Sequence, residues 1–342
     1  MASRLRRIAV CTFAGVLHYS GFFRMRTFFR RAFLGEQEVC VLGLHRVLSG
    51  EQAARANSLP GITLRETTFE GMLEFIGRRF RVVGLDDFLQ KAPGPFRKSK
   101  PLCLLTFDYG WKDNYTTAFP LLKKLELRAV IFLVTGMVGT DSVFWIEQLI
   151  GAWRDPARRQ RILKEFEGLA GGANTNLEIE PIIEHLKHMP AKDRELSLTR
   201  ILSDAAGSHN NEGDRMLSWD EVLAMQASGI EFEAHTVSHP LLVYEDDQSV
   251  QHELKGCKQT LEDKLAHKVR ALAYPNGTWD ERVRNAAQLA GYECAFTTQR
   301  GLHRQGRDPY TIRRIMLHEG NVTGLSGQFS PAMLSLRLSG WY

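Results

Sequence analysis

The stretch from Leu104 to Tyr115, LLTFDYGWKDNY, decides how the chain reads. An apolar run, Leu102–Phe107, ends in an acid, Asp108, and passes through Tyr109 and Gly110. From Asn114 to Leu125 the apolar residues then recur at helical spacing despite Pro120, with Asp113 as a fitting N-cap. Strand, acid, turn and helix make one β/α unit, and the pattern repeats. Further strand candidates are Val39–Val47, Phe80–Leu85, Ala129–Val134, Ile230–Ala234, Val269–Ala273, Ala295–Thr298 and Ile312–Leu317. Helix starts are read in the capping boxes Thr67-Thr-Phe-Glu70 and Ser218-Trp-Asp-Glu221, and helix ends at Gly229 and Gly291. Strands alternating with helices predict an α/β chain, and eight of them favour a distorted, TIM-like (β/α) barrel over an open sheet. Residues 144–215 carry no strand signal and read as a helical insertion after the fourth strand, with a glycine-rich break at 171–174. The barrel is thus expected over residues 35–322. The Ser/Gly-rich tail 323–342 shows no clear element.

Composition narrows the classes. The 342 residues are 44% hydrophobic and 24% charged, which fits a globular protein and not a disordered or collagenous one. Cys11, Cys40, Cys103, Cys257 and Cys294 are odd in number and scattered, which argues against a disulfide framework or a cysteine metal site and for a reducing compartment. The net charge of +5 is local: residues 1–34 hold seven arginines and no acid, and the rest has 37 basic against 39 acidic residues. No nucleic-acid-binding face is therefore expected. The arm has an apolar stretch, Ile8–Leu17, without a small-x-small cleavage site after it; Phe22, Phe23, Phe28, Phe29 and Phe33 then interleave with arginines. It reads either as a basic amphipathic segment on an anionic membrane surface, with the protein cytoplasmic and peripheral at the inner face of a bacterial membrane, or as a helix packed on the body. Arg97, Lys98 and Lys100 read as a solvated turn.

Polar chemistry collects after the strands. Asp108 follows one, His235-Thr-Val-Ser-His239 another, Tyr274-Pro-Asn-Gly277 a third and His318-Glu319 a fourth. In a (β/α) barrel those ends converge on one face, where active sites form. Two imidazoles four residues apart reach a single metal from one turn. An ionised Asp108 beside a metal would take a proton from bound water. Tyr274 reads either as a cleft wall whose backbone amide holds an oxyanion, with Pro275 and Gly277 fixing the turn, or as a plain β-turn. His185, His188, His209, His252 and His267 lack such partners and read as surface residues.

With these residues assembled, the chain resembles the polysaccharide deacetylases of carbohydrate esterase family 4, the NodB-homology family, from about Val39 to His318. TFDYG at Thr106–Gly110 is similar to the family's Thr-Phe-Asp-Asp-Gly motif, HTVSH at His235–His239 matches its metal motif, and AYPNG at Ala273–Gly277 resembles its third motif without the arginine. The segment DNYTTAFPLLKKLELRAVIFLVTG is also similar to the family's sequence downstream of the first motif. The resemblance implies a NodB-type barrel and a metal-dependent hydrolase that removes N-acetyl groups from a GlcNAc-type polysaccharide or lipid-linked saccharide in envelope or exopolysaccharide metabolism. It implies a divalent metal on His235 and His239, zinc foremost, with cobalt, nickel or manganese open. Asp108 would be the base, Tyr274 the oxyanion donor and His318, with Glu319 as alternative, the acid. His45, Pro275 and Asn276 would meet the substrate. The family's acidic-tryptophan fourth motif has no counterpart. At the family's second acid, the third metal ligand, stands Tyr109. Three outcomes are open: Tyr109 ligates as phenolate, Asp108 or another acid moves in as ligand at the expense of the base, or the site is metal-poor and the chain a catalytically impaired, glycan-binding relative.

Overall fold

The computed structural model describes residues 2–33, 38–90, 100–166, 178–202, 214–304 and 306–340. Arg97 and Lys98, the break at 171–174, His209 and the side chains of Arg31 and Phe33 lie outside the described residues. Seven parallel strands form a closed ring: β1 (Glu38–Leu44), β2 (Leu102–Tyr109), β3 (Val130–Leu133), β4 (Glu231–Ala234), β5 (Ala271–Ala273), β6 (Cys294–Arg300) and β7 (Ile312–Met316). Each pairs with the next, and β7 returns to β1 with Leu42 opposite Ile315, so the barrel closes. The expected eighth strand is not in the ring. Phe80–Leu85 yields only Arg81–Val83, which pairs with the lower half of β2 while β3 takes the upper half of the same edge.

Side-chain parity sorts the molecule into two cores. Val39 and Val41, Leu102 and Leu104, Val130 and Phe132, Ala271 and Ala273, Cys294 and Phe296, and Ile312 pack inside the ring. Their sequence neighbours Leu42, Leu105, Phe107, Ile131, Phe232, Leu272, Tyr274, Ile315 and Leu317 pack outward beneath the helices. Followed upward, the inner parity brings Asp108, His45, His235, Thr298, Met316 and His318 to the mouth.

Helix boundaries depart from the capping signals in two places. Ser218 caps Trp219–Ala227 in a full capping box, whereas the helix at Thr67 already starts at Glu66, with Arg65 at the N-cap and no side-chain cap. Asp113 does not cap its helix; it accepts from Arg46 Nε at 2.9 Å and the Val47 amide at 2.9 Å. Between β3 and β4 the helices Trp145–Trp153, Pro156–Glu165, Glu180–Lys187 and Ala191–Leu202 share a small core of their own, including Leu149, Ile162, Ile183, Leu186 and Ile201. The tail does hold a helix, Pro331–Leu338, capped by Ser330; at eight residues it is too short for a helical period to stand out in the sequence. Ala332, Met333 and Leu336 pack there against Ala14 and Phe23 of the N-terminal helices Ala2–Tyr19 and Phe22–Phe33.

Glu233, inside the ring, is 3% exposed and accepts the amides of Arg270 (2.8 Å) and Ala271 (2.6 Å), where β4 and β5 share a single residue pair. Burial pushes its carboxyl up to about 8. The folded state therefore holds a proton that the unfolded chain releases near the ordinary carboxylate range, so the stability is present below that range and is lost as pH rises through 8. Replacing Glu233→Gln should shrink the stability loss between pH 5 and pH 8 by on the order of 3–4 kcal/mol, read from urea titrations at both pH values.

Candidate active site

Asp108, 2% exposed, stands at the end of β2 and meets Arg314 from β7, which is fully buried. The guanidinium grips both carboxylate oxygens, Nη1 to Oδ1 at 2.7 Å and Nη2 to Oδ2 at 2.8 Å, while its Nε donates to the Thr297 carbonyl at 3.0 Å. Burial alone would raise the Asp108 carboxyl; the Arg314 charge outweighs it, helped by His235, and holds it well below the carboxylate range. Asp108 is an ionised, clamped carboxylate. His45 Nε2 lies 4.0 Å from its Oδ2, and burial draws that imidazole down to about 4 against the pull of Asp108.

His235 donates from Nδ1 to the Ala273 carbonyl at 2.7 Å, which leaves its Nε2 as a lone pair; burial keeps the ring neutral. His239, also neutral by burial, has a buried Nε2 without a hydrogen-bond partner. The backbone holds Tyr109, Thr236 and His239 at φ 78°, 69° and 62°, a left-handed region costly for such side chains. Tyr109 packs its ring 4.5 Å from that of His239 and 5.3 Å from that of His235, with Phe144 and Trp111 at 5.0 and 5.9 Å on its other sides. Burial, then the neighbouring Glu147, raises its phenol well above its ordinary value, so it is no phenolate.

The implied metal fits this donor set poorly. Two neutral imidazoles offer lone pairs, but the third position carries a neutral phenol. Among the described residues no three His, Cys, Asp or Glu side chains are placed to share an ion. Asp108 is held by Arg314 instead.

The cleft, about 260 Å³, is lined among others by His45, Asp108, Tyr109, His235, His239 and Asn276. Four expected participants stand apart from that lining. Tyr274 has outer parity, so its ring is buried under the helices, and its amide donates to the Phe296 carbonyl at 3.0 Å within the sheet; it supplies neither a cleft wall nor an oxyanion donor. Pro275 is buried beneath Asn276. His318 sits two residues beyond the cleft-lining Met316, within electrostatic reach of His45. Glu319 turns away to Arg65 and Thr68. Sequence reading missed Arg314, whose signal is an arginine at the inner parity shared with His318. It also missed Trp145, Glu147, Lys187 and Arg194, which reach the cleft from the helices between β3 and β4.

A parallel seven-stranded barrel with acid, imidazoles and aromatic walls at its C-terminal mouth has the layout of a (β/α)-barrel protein whose candidate site lies at its strand ends. The sequence profile described as polysaccharide deacetylase matches residues 97–295, more than half of the chain, and the chain belongs to that family. It is 21% identical over 237 residues to YxkH of Bacillus subtilis (strain 168), a protein named as a polysaccharide deacetylase. The match covers 69% of this chain, and the chain spans 59% of that relative's length. Among solved structures it is similar in fold to the Streptococcus pyogenes deacetylase PplD (TM-score 0.55, 18% identity, 86% of this chain and all of that one). IcaB from Ammonifex degensii is similarly close (TM-score 0.55, 17% identity, 90% and 98%).

Removing Arg314 would strand the Asp108 charge inside the barrel. Arg314→Met should destabilise the protein by about 3–5 kcal/mol, and adding Asp108→Asn should restore most of that, as measured by denaturant unfolding of both variants.

Proposed function

We propose that the chain binds an N-acetylated, GlcNAc-type glycan in the cleft and that metal-dependent removal of the acetyl group is impaired. The observation that carries this reading is Tyr109, a neutral phenol packed against both histidines where the family places an acid. Aromatic side chains of Tyr109, Phe144 and Trp145 at the cleft suit the apolar face of a sugar, with a few polar groups to orient it. A second reading keeps hydrolysis. The pinned tautomer of His235 and the intact Asp108–Arg314 pair favour it, because those are parts a working site needs.

The two separate on metal content. Purified protein should retain well under one zinc per chain, while Tyr109→Asp should approach one and gain thermal stability on adding zinc, since a ligand that binds only the folded state raises Tm. Near-stoichiometric metal in the unaltered protein, with release of acetate from an N-acetylated oligosaccharide, would overturn impairment and establish the second reading.

We also infer a peripheral, cytoplasmic-side contact with an anionic membrane through residues 1–34. No single described helix is long and apolar enough to cross a membrane; Arg4–Tyr19 and Phe22–Arg30 meet at 64°. One flank docks on Pro331–Leu338, and the other exposes Leu5, Phe13, Val16, Met25 and Phe28 among arginines. In flotation assays the protein should follow vesicles containing phosphatidylglycerol and not pure phosphatidylcholine. Phe13→Ser with Phe28→Ser should weaken that binding at least about tenfold. Unchanged binding by the double variant would count against the contact.

A further inference from the structure

Arg194, on helix Ala191–Leu202, is the least satisfied charged group near the cleft. It lines the cleft, is 7% exposed, and its guanidinium lies 5.4 Å from the ring centroid of Trp145. Among the described residues no carboxylate lies within ion-pair distance of it and no hydrogen bond engages it. Glu245, Glu195 and Glu253 act on it only from farther off. Two of these are engaged elsewhere: Glu245 accepts the Ala191 amide at 2.7 Å, and Glu253 accepts the amides of Val237 and Ser238 and the Ser238 hydroxyl. A guanidinium carries five donors, and burying it without a partner is costly. Lys187, on helix Glu180–Lys187, lines the same cleft, and its carboxylate neighbour Glu184 stands 3.4 Å away.

The acids of the cleft do not balance these charges. Asp108 is neutralised by Arg314. Glu147 is 3% exposed, and burial pushes its carboxyl up to about 8, so it is protonated near neutrality. The cleft therefore offers the Arg194 guanidinium beside an indole ring, a Lys187 ammonium shared with Glu184, and no carboxylate of the lining free to pair with Arg194.

We propose that Arg194, Lys187 and Trp145 form a subsite for a carboxylate-bearing sugar, so that the glycan recognised is acidic. The planar guanidinium matches a carboxylate with two parallel hydrogen bonds, the ammonium adds charge, and the indole carries the sugar's apolar face. All three residues come from the helices between β3 and β4 and none from the ring, so this selectivity is built apart from His235 and His239. The inference rests on the glycan-binding reading and names its substrate class.

Calorimetric titration of the full chain tests it with three ligands: a tetrasaccharide alternating N-acetylglucosamine and glucuronate, its carboxyl-reduced form, and chitotetraose. The acidic tetrasaccharide should bind at least about tenfold more tightly than its reduced form, as a charge-assisted pair allows. Arg194→Gln should abolish that preference, the affinity for the acidic tetrasaccharide falling to that for its carboxyl-reduced form measured on the same variant, and Arg194→Lys should retain part of it. Thermal unfolding of both variants checks that they are folded. Equal affinity for acidic and reduced forms, or a preference that survives Arg194→Gln, would overturn the subsite and leave glycan binding standing. Failure of all three ligands to bind would overturn both. Displacement of the acidic tetrasaccharide by millimolar inorganic phosphate but not by free glucuronate would overturn the choice of a carboxylate.

Discussion

The buried ion pair between Arg314 and Asp108 is the interaction on which the mouth of this barrel depends. It joins β7 to β2, strands that flank β1 on either side, and it lies wholly inside the ring. Such a pair repays its desolvation only when both groups are fully hydrogen-bonded, and here the guanidinium also reaches the Thr297 carbonyl and Thr106 Oγ1. Its consequences spread outward. The carboxylate stays ionised, His45 is held beside it, and the acid is unavailable to stand in as a metal ligand.

Around that pair the site is mostly neutral. Both histidines of the HxxxH turn are neutral imidazoles, the phenol of Tyr109 keeps its proton, and Glu147 holds one that an exposed glutamate would lose. Among the described residues, charge without an ion-pair partner enters the cleft from the helical segment between β3 and β4, through Arg194. The barrel thus supplies a chemically quiet floor, and a separate set of helices supplies the electrostatic selectivity. This division fits a scaffold whose loops and insertions vary function over a constant strand core.

Much of this was legible in the sequence because it follows from short periods. Strand parity and the acids and histidines that end each strand were enough to bring Asp108, His235, His239 and His45 to one mouth. What escaped depends on long-range placement. Phe80–Leu85 has a strand's composition, yet the edge it would occupy is claimed by β3. Tyr274 stands beside the site in sequence, but parity turns it outward, and a turn motif does not reveal parity. Arg314 was overlooked because an arginine in a strand is ordinarily read as solvated, and Arg194 because no local pattern shows which face of an inserted helix meets the cleft.

The left-handed backbone at position 109 carries an implication for descent. Tyrosine is poorly suited to a φ of 78°, whereas aspartate and asparagine are several-fold enriched in that region. The main chain there has the shape an acid would prefer, around a side chain that is not one. Tyrosine and aspartate codons differ only in their first base, so the chain lies a single point mutation from the acid its backbone still fits.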